Sequence, residues 1–188
     1  MKLPHPFLWL TESGQSRAFV VTSLLALLVM ASLQVLDTPL KTAAAPAGII
    51  SYEFACDLEG ARRILDSWGP GARVYAGLSL GLDYLFMLSY AGALGLGCVL
   101  VARRLGRWSG GLATLGVVLS WGQWLAALLD ATENYALIRL LLGSARALWP
   151  ALACGCALPK FLMVGAGILF IGVGGILSLL RRGVGRSG

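Results

Sequence analysis

The stretch from Trp121 to Arg139 reads WGQWLAALLDATENYALIR. Its first half is apolar enough for a lipid bilayer. Its second half sets Asp130, Glu133 and Asn134 three and four residues apart, a spacing that puts them on one face of a helix. Gln123, two helical turns before Asp130, falls on the same stripe. Acids at the end of an apolar segment are costly unless water, a partner or a ligand meets them. The stretch predicts a membrane-spanning helix ending in a polar site, and the rest of the chain is read for what meets those acids.

The surrounding composition agrees with a bilayer. The 188 residues are 57% hydrophobic and 13% charged, with a mean hydropathy of +0.78. A soluble domain carries roughly 25% charged residues. The net charge of +6 does not point to nucleic acid. The basic residues flank apolar segments, as topology signals do, and form no aromatic-basic face.

Four apolar segments stand out, at about 18–36, 74–101, 110–131 and 161–180. The first, at 1.5 Å per residue, covers roughly 29 Å, close to the hydrocarbon thickness. It reads as an uncleaved anchor, because the small residues Ala43, Ala44 and Ala45 lie well beyond its end. Residues 49–68 read as one amphipathic helix, with Phe54, Leu58, Ala61, Leu65 and Trp68 on its apolar stripe and Gly69-Pro70-Gly71 ending it. It is too polar to span and should lie along the interface or cap the bundle. Residues 148–160 read as a second loop on that same side. The expectation is an all-α protein: one integral membrane domain over 1–188, a four-transmembrane-helix bundle with an amphipathic capping helix in the first outer loop. Gly77 with Gly81, and Gly92 with Gly95, suggest close packing between helices.

Orientation follows from charge density. Lys2, Arg17, Arg103, Arg104, Arg107, Arg181, Arg182 and Arg186 fall in about 33 positions, and the other seven basic residues spread over about 67. This twofold difference favours cytoplasmic N- and C-termini and an inner (plasma) membrane location.

Asp83 lies nine residues inside the second span, about 14 Å along a helix. The loop 102–109 is short, so the second and third spans should pack together. Asp83 and Asp130 then approach in the outer leaflet, roofed by the 49–68 helix with Glu53. The candidate binding residues are Asp83, Asp130, Glu133, Asn134, Glu53, Tyr90 and Gln123. Two carboxylates close together in low dielectric do not both ionise readily. Such a pair suits general acid–base work, a proton-coupled site or recognition of a cation. No histidine or cysteine accompanies the acids, so zinc is not expected, and no metal or cofactor is predicted. Of the four cysteines, Cys56, Cys154 and Cys156 fall on the outer side and Cys98 inside a span. A thiol–disulfide relay would use the outer three, although Cys154-Gly155-Cys156 is not the usual C-x-x-C spacing, and small cysteines in such a segment more often serve packing.

The pieces ISYEFACDLEGARRILDSWG, LDYLFMLSY and DATENYALIRLL resemble those of small four-helix bacterial membrane proteins of unknown function. The resemblance covers about residues 49–142 and implies no activity. In architecture alone, a capping helix before an acidic second span is similar to the EXPERA-type sterol isomerase and sterol-binding proteins, and no catalytic role carries over from them.

Three functions fit this reading. The leading one is binding or moving a lipid-like or cationic small molecule in an acidic outer-leaflet pocket. The second is a membrane enzyme using paired carboxylates as general acid and base on a lipid. The third is a structural or interaction subunit whose glycine faces form a homo- or hetero-oligomer. The expected surroundings are the lipid bilayer, and no nucleic acid.

Overall fold

The computed structural model describes residues 3–107 and 109–184, with the backbone alone for Leu179 and residues 181–184. Lys2 and Arg186 of the basic clusters lie outside the described residues, as do the side chains of Arg181 and Arg182. The described residues are helical, without strands: α1 Glu12–Asp37, a 3-10 turn Thr38–Leu40, α2 Ile49–Glu53, α3 Leu58–Ser67, α4 Pro70–Leu105, α5 Gly110–Leu141 and α6 Leu148–Val184. Among them α1, α4, α5 and α6 are long and apolar enough to cross a membrane, and the protein is a multi-pass, four-helix membrane bundle. Of these four, α4 is the most enclosed and α1 the most exposed.

Two local departures from the sequence reading have clear causes. The helix expected over 49–68 is broken into α2 and α3. Asp57 adopts an extended backbone and its carboxylate accepts the Gly60 N–H at 2.7 Å, so it caps a new helix where the first would have continued. Cys56, just before it, takes a positive φ of 57° in a tight turn closed by the Asp57 N–H on the Ala55 carbonyl at 2.7 Å. Phe54 is therefore exposed and leaves the predicted stripe, while Ala61, Ile64 and Trp68 are buried.

The second departure is larger. Residues 148–160 are not a loop but the first third of α6. Pro159 sits inside this helix. Its missing N–H leaves the Gly155 carbonyl without the usual donor four residues on, which a continuous helix tolerates locally. Expected at the end of the 148–160 loop, Lys160 lies instead in the helix interior.

The chain divides into two compact units. The first comprises Met1–Leu24, Ser89–Ala126 and Phe161–Gly188, and the second Leu25–Leu88 and Ala127–Lys160. In the first unit, Phe7 is buried with Leu96 and Val99 and packs beside Trp124 at 6.2 Å between ring centroids. A Cβ added to Gly116 would stand 2.6 Å from Ala102 Cβ and 2.8 Å from the Phe170 ring, so glycine sets the distance between helices there. Arg103 pairs with Glu12 at 3.5 Å and donates to Gln15, tying the start of α1 to the end of α4.

In the second unit, Leu40, Tyr52, Ala61, Ile64 and Trp68 pack against Ala76 and Leu80 of α4, Leu137 and Leu140 of α5 and Ala153 of α6. The cap is also pinned by polar contacts. The Trp68 indole donates to the Leu40 carbonyl at 2.9 Å, and the Tyr52 hydroxyl donates to the Leu137 carbonyl at 3.2 Å. Asp37 accepts the Ile49 N–H at 2.7 Å, which starts α2. Gly48, before it, has a φ of 59°, and a Cβ there would collide with the Asp37 carboxylate. A disulfide joins Cys56 to Cys154, whereas Cys98 and Cys156 are free and buried.

Candidate functional site

Glu53, Asp83, Asp130, Glu133, Asn134 and Lys160 belong to the second unit, and Lys160 is the centre of this cluster. The ammonium nitrogen stands 2.8 Å from Glu133 Oε2 and 2.9 Å from Asp130 Oδ1. Glu53 Oε2, brought in at the end of α2, is 3.6 Å away. These groups are enclosed: relative exposure is 6% for Lys160, 3% for Asp130 and 0% for Glu133. Charges so buried persist only with partners of the opposite sign. An ammonium has three N–H donors, and carboxylates from α2 and α5 surround this one.

Asp130, Glu133 and Asn134 lie on one face of α5, as their spacing requires. Asp130 and Glu133 face α6, where Lys160 meets them. Asn134 faces α4. Its side-chain amide donates to Asp83 Oδ2 at 2.8 Å and to the Leu80 carbonyl at 3.3 Å. The Leu80 carbonyl belongs to the α4 turn just before Asp83. Asn134 thereby fixes that carboxylate at the edge of the cluster. Asp83 is only half-buried, unlike the three acids on Lys160. Beside it the Tyr84 hydroxyl donates to the Ala131 carbonyl at 3.4 Å, holding α4 and α5 together at the same level.

Glu133 Oε1 is enclosed and receives no hydrogen bond. Glu53, Asp83, Asp130 and Glu133 gather around Lys160 and Asn134, and carboxylates so close together favour an additional proton or cation. Glu53 sits outside the spans. Burial pushes its carboxyl above the ordinary range, and the Lys160 ammonium pulls it partly back. Burial likewise raises the Tyr52 hydroxyl, which stays a hydrogen-bond donor.

Of the seven residues singled out from the sequence, Glu53, Asp83, Asp130, Glu133 and Asn134 are brought together. Tyr90 and Gln123 are also buried. Both belong to the first unit, where the Gln123 amide donates to the Met163 carbonyl at 3.0 Å and the Leu119 carbonyl at 3.3 Å. Asp83 and Asp130 were expected to approach in one site; there Asn134 donates to Asp83 and Lys160 pairs with Asp130.

Lys160 is the residue that sequence reasoning missed. Its signal was present: a lone lysine between two apolar runs, in a chain with buried acids needing a counter-charge. Searches of protein-family models, curated proteins and solved structures find no match to this chain.

Proposed function

We propose that this multi-pass protein binds, or helps to move, a small cationic or cation-headed lipid-like molecule at Asp83. The observation that carries the reading is the division of labour among the acids. Glu53, Asp130 and Glu133 pair with Lys160, whereas among the described residues Asp83 is half-buried and accepts from the neutral Asn134 amide. A carboxylate held at the edge of an apolar helix, with further negative charge behind it, attracts a cation that brings its own apolar body. Exposed apolar residues on the same α4 segment, Leu78, Tyr84, Leu85 and Leu88, give such a body a surface.

The orientation proposed with this reading has cytoplasmic N- and C-termini in an inner (plasma) membrane. Arg103 and Arg104 stand at one end of α4 and the disulfide-bonded cap precedes its other end. Disulfides persist in oxidising compartments, and basic loops stay in the cytoplasm. Both rules favour the same direction. Close glycine packing within the bundle, as at Gly116, is part of the same picture.

The test uses the full-length protein in nonionic micelles and the lipophilic cation tetraphenylphosphonium, with binding followed by calorimetry. Saturable binding lost in Asp83→Asn, in a variant of unchanged helicity, is the expected result. Equal binding by wild type and Asp83→Asn overturns the proposal. Hydrolysis or isomerisation of a lipid without cation binding would instead favour the acid–base enzyme.

A further inference from the structure

The disulfide lies close to the charge cluster at both of its ends. Cys56 is three residues after Glu53, and Cys154 is six residues before Lys160 on α6. The bond therefore couples the piece of chain that carries Glu53 to the helix that carries the ammonium Glu53 faces. Glu53 is the weakest of the three carboxylate contacts, at 3.6 Å against 2.8 and 2.9 Å. It is also the only one supplied by a short element, the five-residue α2. Asp130 and Glu133 sit in the middle of a 32-residue helix and need no such support.

Two further features single out this bond. Cys56 is an exposed residue of the cap. Its backbone has a φ of 57°, a conformation that non-glycine residues adopt at a cost. Once the sulfur is free, the turn gains by relaxing, and only Phe54, Ala55 and Cys56 link α2 to Asp57, the cap of α3.

We infer that the Cys56–Cys154 disulfide is a redox latch that holds the Glu53-bearing cap against Lys160. The reductant is a dithiol. One of its thiolates attacks Cys56 Sγ, the Cys56–Cys154 bond breaks, and Cys154 leaves as a thiolate that takes up a proton. The second thiol of the reductant then attacks the mixed disulfide, and Cys56 leaves as a thiol. Two electrons and two protons pass to the protein, and the dithiol becomes a disulfide. Glu53 then moves away from Lys160 with α2, the cluster loses one of its four acids, and Lys160 stays on Asp130 and Glu133. The latch itself follows from geometry. Its consequence for a ligand rests on the cation-binding role proposed above.

The experiment is hydrogen–deuterium exchange on the full-length protein in micelles, with and without dithiothreitol, followed by reoxidation. Reduction should speed exchange in residues 45–57, reversibly, and leave the α5 and α6 peptides around Glu133 and Lys160 protected. Cys154→Ser should reproduce the reduced pattern without reductant. Unchanged exchange at 45–57 overturns the latch, because the bond then holds nothing in place. Faster exchange throughout the chain also overturns it, since the disulfide is then a global staple. Tetraphenylphosphonium affinity supplies the second readout. It should fall by about fivefold or more on reduction, and Glu53→Gln should remove that dependence. Local opening with wild-type cation binding that is unaffected by reduction supports the latch and counts against the cation-binding role.

Discussion

Replacing Lys160 by methionine removes the ammonium that Glu53, Asp130 and Glu133 contact, and keeps nearly the same stem. At an effective dielectric constant of about 20, each of the two short pairs, 2.8 and 2.9 Å, is worth about 6 kcal/mol of gross attraction. Most of that only offsets the cost of taking the charges out of water. Removing one partner of a buried pair typically costs about 3–5 kcal/mol, because the remaining charge is left uncompensated. Lys160→Met is therefore expected to lose about 3–5 kcal/mol. Reversible unfolding in mixed anionic and nonionic micelles, followed by circular dichroism, measures it. Adding Glu133→Gln removes one of the stranded charges and should recover about 1 kcal/mol or more, a coupling typical of groups in one network. The same Glu133→Gln change in the wild-type background should destabilise, since it removes a carboxylate from a paired ammonium. A Lys160→Met protein within about 0.5 kcal/mol of wild type would refute the reasoning. So would a double variant weaker than Lys160→Met alone.

Three other expectations follow from neighbouring contacts. Glu53 is pushed above its ordinary value of 4.5 in the folded protein, so the unfolded chain gives up this proton first and stability falls as pH rises from that point. Glu53→Gln cannot ionise, and denaturation series at several pH values should show it gaining on wild type as pH climbs above 4.5; a constant difference would contradict the burial of Glu53. Asn134→Leu strips Asp83 of its amide donor and should cost about 1–3 kcal/mol, read by the same unfolding assay, with Tyr52→Phe as a smaller reference of about 1 kcal/mol. Gly116→Ala places a methyl 2.6 Å from Ala102 Cβ and should lower stability by about 1–3 kcal/mol, whereas Gly165→Ala, with nothing within 4 Å, should be nearly neutral; equal effects would mean the helices do not approach as described.

Much of this protein is local and therefore legible from the chain alone. Apolar length decides that α1, α4, α5 and α6 can cross a bilayer, because each backbone polar group must be satisfied within its own helix. The 3.6-residue period decides that Asp130, Glu133 and Asn134 share one face of α5. Their cost in an apolar segment marks them, and Asp83, as groups that need partners.

What those partners are is decided only in three dimensions. Lys160 becomes the centre of the cluster because α6 continues through Pro159 and turns that side chain toward α5, a matter of helix rotation that no spacing within α6 fixes. Asn134 rather than Asp130 reaches Asp83 because α4 and α5 cross with that register. Gln123 obeys the right period, and its amide bonds to the Met163 and Leu119 carbonyls. Cys56 pairs with Cys154 across 98 residues of chain, and Asp57, by capping α3, sets the break that brings Glu53 to Lys160. Sequence pattern constrains each helix through its own backbone. The meeting of one buried cation with acids from other elements depends on how those helices pack, and only the tertiary structure sets that.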